Sequence, residues 1–75
     1  MSEKLENKFG KFKGRVSDMG DDTDKPGYKF VKMISEGRPD FIGWSNQIPS
    51  YIEEGVMTEV YYTKDKEIMA FTIPR

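Results

Sequence analysis

Three cations recur at every second position of "FGKFKGRVSD", residues 9–18: Lys11, Lys13 and Arg15. A period of two puts them on one face of a strand with Phe9 and Ser17, while Gly10, Phe12, Gly14 and Val16 take the other. Tyr28, Phe30 and Lys32 repeat the spacing in "YKFVKMIS", Arg38 sits in "EGRP", Phe41 and Trp44 take opposite faces of "DFIGWS", and Lys64 and Lys66 flank the tip of "KDKE". Cations interleaved with rings suit a single nucleic-acid strand: the charges neutralise phosphates and the rings stack on bases, for about 1–3 kcal/mol per base. No one base edge is favoured by such a surface. The same residues also have a plainer reading, in which the rings fill a small core and the lysines keep an edge strand soluble. Trp44 is a stacking platform under the first reading and core under the second.

The other charged feature is "DMGDDTDKPG", residues 18–27, which reads as a loop holding Asp18, Asp21, Asp22 and Asp24. Asp22, Asp24 and Gly27 match the first, third and sixth positions of a calcium-binding EF-hand loop, but Pro26 and Met33 stand at the fifth and twelfth, where ligands are needed. No metal or cofactor site is expected. A loop that repels phosphate either steers a nucleic acid to one side or meets a basic protein.

Catalysis lacks its usual parts. The chain has no histidine and no cysteine, which removes the commonest general base and metal ligands. Glu53 and Glu54 diverge on a short turn, Tyr61 and Tyr62 point to opposite faces, and neither a phosphate-cradling glycine loop nor a nucleophile elbow is present. The expectation is a protein that acts by binding and is not an enzyme.

The elements that must position these residues belong to one small unit. A chain of 75 residues buries only about 60% of its unfolded surface, leaving no room for a second core. Its 36% hydrophobic and 13% aromatic content keeps it away from the compositions that stay disordered. The net charge of -1 hides an uneven layout: residues 1–17 carry five basic side chains against two acidic, 18–24 four aspartates, 25–38 four basic against one acidic, and 39–75 three basic against six acidic. The lack of cysteine, of a long apolar run and of a signal-peptide core points to a soluble cytoplasmic protein.

Strands are expected over residues 9–18, 28–35, 40–45, 56–63 and 68–73. Residues 1–8 read as a frayed or short helical start, and 9–75 as a single domain. Two inward glycines in the first strand suggest a bulge or sharp bend. "NQIPSYIEEG" reads as a short helix between the third and fourth strands, with Pro49 in its first turn, Gly55 past its last, and Tyr51 and Ile52 docked inward.

Five strands with one short helix between the third and fourth is the order of the oligonucleotide/oligosaccharide-binding (OB) fold, a partly open Greek-key barrel. "FKGRVSDMG" resembles its glycine-bearing first strand, and "IPSYIEEGVMTEVYYTKDKEIMAFTI" is similar to a passage of small single-strand-binding-like domains. Another five-stranded barrel, of SH3 type, is the second candidate. The resemblance implies weak, sequence-independent binding of single-stranded DNA or RNA on the face of strands one to three and their flanking loops, through Lys11, Lys13, Arg15, Tyr28, Phe30, Lys32, Arg38, Phe41, Trp44, Lys64 and Lys66. The alternative is a protein-interaction or inhibitor module, of the kind phages and mobile elements encode, that turns Asp18, Asp21, Asp22 and Asp24 toward a basic partner.

Overall fold

The structure is a computed structural model that describes residues 9–74. The start expected over 1–8 lies outside the described residues. Five strands form: β1 (Gly10–Asp21), β2 (Lys29–Ile34), β3 (Phe41–Ser45), β4 (Met57–Tyr62) and β5 (Ile68–Thr72). They build one antiparallel sheet in the order β3-β2-β1-β4-β5. With β4 returned beside β1, the first four strands make a Greek key. The sheet is not closed into a barrel. Its two edges, β3 and β5, meet at an isolated parallel bridge between Trp44 and Glu67.

The alternation of side chains builds the core. Phe12 and Val16 of β1, Val31 and Met33 of β2, Phe41 of β3, Val60 of β4 and Ile68 of β5 turn inward and are buried, joined by Ile52 from the β3–β4 connection. On β3 the inward set is Phe41, Gly43 and Ser45. Phe41 lies over Gly43, where an added Cβ would stand 2.7 Å from its ring. It also packs between Phe12, at 5.3 Å between centroids, and Tyr62, at 4.6 Å. In β5 a register shift opposite Tyr61 and Tyr62 breaks strict alternation. Ile68 is therefore buried, and Phe71, opposite the buried Val60, packs partly against the core.

Two expectations need correction. First, the β3–β4 connection holds no helix. Pro49–Ile52 and Glu53–Val56 each close a turn, with Ile52 N–H donating to the Pro49 carbonyl at 3.0 Å and Val56 N–H to Glu53 at 3.1 Å. Gly55 takes φ 95°, the left-handed value that the third position of a type II turn requires. So short a segment does not sustain helix nucleation by itself, and β1 offers better partners. Gly55 N–H donates to the Val16 carbonyl at 2.8 Å, and Val16 N–H to Val56 at 2.9 Å. Of the two side chains expected to dock inward, Ile52 is 4% exposed and Tyr51 is 50% exposed.

Second, β1 runs on through Asp21, so Asp18 and Asp21 belong to a strand and not to a loop. A bulge allows this. Pairing passes from Val16 opposite Met33 to Asp18 opposite Lys32, leaving Ser17 as the extra residue. The shift of parity returns Met19 to the inner side, opposite buried Val31.

Candidate nucleic-acid interface

The bulge at Ser17 also divides the outer face in two. Before it, β1 lies along β4: Lys11 faces Tyr61, Lys13 faces Glu59 and Arg15 faces Met57. The Lys11 ammonium stands 5.9 Å from the Tyr61 ring centroid. Arg15 also pairs with Ile34 of β2, and its Nη1 donates to the Gly55 carbonyl at 2.8 Å. That guanidinium is committed in part to holding the β3–β4 connection against β1.

Beyond the bulge, β1 lies along β2, and the aromatic residues gather there. Phe30 stands opposite Gly20 on one side and Trp44 on the other. Gly20 is what gives the Phe30 ring its place, since a Cβ would approach it to 3.2 Å. Phe30 and Trp44 are half-buried on the outer face, their strand neighbours Val31 and Gly43 pointing into the core. Lys32 is half-buried between Asp18 and Ile42, 3.8 Å from the Asp40 carboxylate, and Ile42 is exposed.

The β1–β2 loop and the β4–β5 hairpin converge on Trp44. Lys25, Pro26 and Tyr28 from the first, and Asp65 and Glu67 from the second, line a cleft with the indole as one wall. In the loop, Asp24 N–H donates to Asp22 Oδ1 at 2.8 Å, an Asx turn, and Lys25–Tyr28 close a turn with Pro26 second and Gly27 third at φ 83°. This leaves the Lys25 ammonium 5.4 Å from the Trp44 ring. From the hairpin, Glu67 Oε2 accepts from the Tyr28 hydroxyl at 3.3 Å. The charge on Glu67, and then this hydrogen bond, push the Tyr28 hydroxyl above its ordinary pKa.

Two of the remaining cations cap the aromatic end of the core. Arg38 lies 4.9 Å from the Phe12 ring, and Lys66 lies 4.9 Å from Tyr62 and 5.9 Å from Phe41. Lys64 is exposed at the hairpin tip. Phe41 departs from the expected outer-face set. It is 5% exposed and serves the core, because the register that puts Trp44 opposite Phe30 turns Phe41 inward beside Met33.

The acidic group is dispersed. Asp21 bonds Lys29 at 2.8 Å, and this bond and the cation's charge hold its carboxyl below the usual range. Asp22 turns onto its own loop. Asp18 faces Lys32 across the sheet and accepts from the Met19 amide at 2.9 Å. Asp24 is exposed.

Lys25, Tyr61 and Glu67 join these surfaces without having been singled out by spacing. Their partners stand 19, 50 and 39 residues away in sequence (Trp44, Lys11 and Tyr28), so only the strand register brings them together. Among the described residues, no helix is long and apolar enough to cross a membrane. Comparisons with protein-family models, curated proteins and solved structures find no match.

Proposed function

We propose that the protein is a small binding module of the OB type that takes single-stranded nucleic acid across the outer face of β1–β3, largely independently of sequence. One observation carries the reading. Phe30 and Trp44 face each other across β2 and β3 on the outer side, half-buried, with Lys25 over the indole and Lys32 two residues along from Phe30. Half-buried rings on one face of a sheet with cations beside them suit a single strand, the rings stacking on bases while the charges meet phosphates.

The strand order supports the architecture. An OB barrel uses the face of strands two and three, together with the loops joining strands one to two and four to five. Those two loops are the ones that converge on Trp44 here. The Trp44–Glu67 bridge joins β3 and β5 where such a barrel would close. The cation row on the first half of β1 lies along the same outer face, beside Tyr61, Glu59 and Met57 of β4.

A basic protein partner for the acidic residues has less support. Asp21 is paired with Lys29 and Asp22 is folded onto its loop, so the four aspartates do not present one continuous acidic patch.

The test is a titration of fluorescently labelled single strands and duplex at two salt concentrations. Single strands should bind more tightly than duplex, and binding should weaken as salt rises, with a log–log slope of about -0.7 per phosphate neutralised. Emission from Trp44, the one tryptophan, should be quenched as the strand binds. Salt-insensitive binding, or no binding to any single strand, rejects the proposal.

A further inference from the structure

Three features of the Trp44 cleft bear on which base it takes. The ring is covered by a displaceable cation, since Lys25 is exposed and reaches the indole from a loop. A carboxylate is fixed at the cleft's edge: Glu67 receives the Tyr28 hydroxyl on Oε2, its amide donates to Thr63 Oγ1 at 3.2 Å, and its residue makes the backbone bridge to Trp44. Oε1 has no partner among the described hydrogen bonds, and Asp65 adds a second acidic side chain to the lining.

Resting on the proposed single-strand binding, we infer that this cleft prefers bases with an exocyclic amino group, stacking the base on Trp44 and accepting its amino hydrogen on Glu67. An ionised carboxylate is an acceptor only. Cytosine, adenine and guanine offer an amino donor on the edge that would face it. Thymine and uracil offer their ring N–H between two carbonyl oxygens, which meet the carboxylate with the wrong sign. The backbone bridge places Glu67 beside Trp44 and the Tyr28 hydroxyl, 3.3 Å from Oε2, draws its carboxylate to the cleft's edge, so the acceptor is near the indole before the base arrives. The cation row and the Phe30 ring carry no such bias, so the preference falls on one nucleotide of the bound strand.

The experiment compares deoxycytidine and thymidine homo-oligomers of equal length at one salt concentration, with the wild-type protein, Glu67→Gln and Tyr28→Phe. Wild type should bind the cytidine strand roughly fivefold or more tightly, the scale of one good base-edge contact. Glu67→Gln should bring the ratio close to one, with the thymidine strand gaining affinity as a negative charge leaves the site. Tyr28→Phe keeps the ring but frees Glu67, and should shrink the ratio without abolishing binding. Equal binding of the two strands by wild type, or a ratio that Glu67→Gln leaves unchanged, overturns this inference while single-strand binding stands. No binding to either strand overturns both.

Discussion

The Trp44 amide donates to the Lys66 carbonyl at 3.0 Å, tying the indole strand to the β4–β5 hairpin. The residue that offers this carbonyl is itself strained. Lys66 holds φ 69°, a left-handed backbone that is uncommon for a side chain with a Cβ, and it follows a turn closed by its N–H donating to Thr63 at 2.8 Å. Its ammonium lies 4.9 Å from the Tyr62 ring, which returns part of the cost.

Lys66→Gly should relieve the strain at the loss of that contact and of some unfolded-state entropy, for a net gain of roughly 0.5 kcal/mol. Lys66→Val puts a β-branched residue in the same backbone and should lose about 1 kcal/mol or more. Denaturant unfolding measures both, and a stabilised valine variant contradicts the argument.

Gly14 is fixed by a neighbour that cannot yield. A Cβ there would stand 2.4 Å from the Ile34 carbonyl oxygen and 2.8 Å from the Phe12 ring. Gly14→Ala should therefore cost about 1–3 kcal/mol through forced backbone movement. At Gly20 the approach is only 3.2 Å, to the Phe30 ring. Gly20→Ala should change stability by less than about 1 kcal/mol while shifting the Phe30 ring on the proposed binding face. Thermal unfolding alongside single-strand titration separates the two effects.

The period-two pattern made the strands and most of their inward faces legible, because the inward sets of β1 and β4 are apolar or small and the outward sets mostly polar. It did not decide β3, where Phe41 and Trp44 are both large. There the choice rests on register, which places Gly43 against Val31 and Phe41 against Met33. The bulge at Ser17 was signalled only by nearby glycines, so the split between the lysine row and the aromatic group was hidden. Pro49 and Gly55 suit the ends of a short helix and also a pair of turns. The tie was broken by hydrogen bonds to Val16, a residue more than thirty positions earlier. Long-range pairing is the part of the fold that local chemistry does not encode.

The Tyr28–Glu67 contact gives an alkaline signature. The folded-state pKa of Tyr28 is raised above the ordinary 10.0, so the unfolded chain loses this proton first as pH climbs. The contribution to stability is whole below that ordinary value and is lost as pH rises through the folded pKa. A titration of tyrosinate absorbance should show Tyr28 keeping its proton beyond the ordinary value, and Glu67→Gln should return it toward that value. Unchanged titration in that variant removes Glu67 as the cause.

Asp21 gives the opposite dependence. Its pKa is lowered by the hydrogen bond and charge of Lys29, so its contribution is present above the usual carboxylate range and is lost as pH falls through the folded value. The pair is largely exposed, with the two side chains 53% and 85% accessible, so the effect should be small and screened by salt. Asp21→Asn should flatten the acid side of the stability profile slightly at low salt and have no measurable effect at high salt.

Lys13 and Arg15 share a face but not a task. Arg15 gives a hydrogen bond to the Gly55 carbonyl at 2.8 Å and lies between Met57 and Ile34. Arg15→Ala should therefore cost about 1 kcal/mol of stability as well as affinity. Lys13 faces Glu59 across β4 and makes no described salt bridge, so Lys13→Ala should leave stability within about 0.5 kcal/mol. If the β1 row meets phosphates, the Lys13 variant should bind single strands more weakly and lower the salt slope by about 0.7, the share of one neutralised phosphate. Lys11→Glu combined with Lys13→Glu should lower it further, again without unfolding the protein. The lysine pair is thus the cleaner probe of the surface, because charge reversal at Arg15 also cuts the tie to the β3–β4 connection. A salt slope that neither lysine variant moves would make the row a solvated edge and confine binding to the Phe30–Trp44 surface.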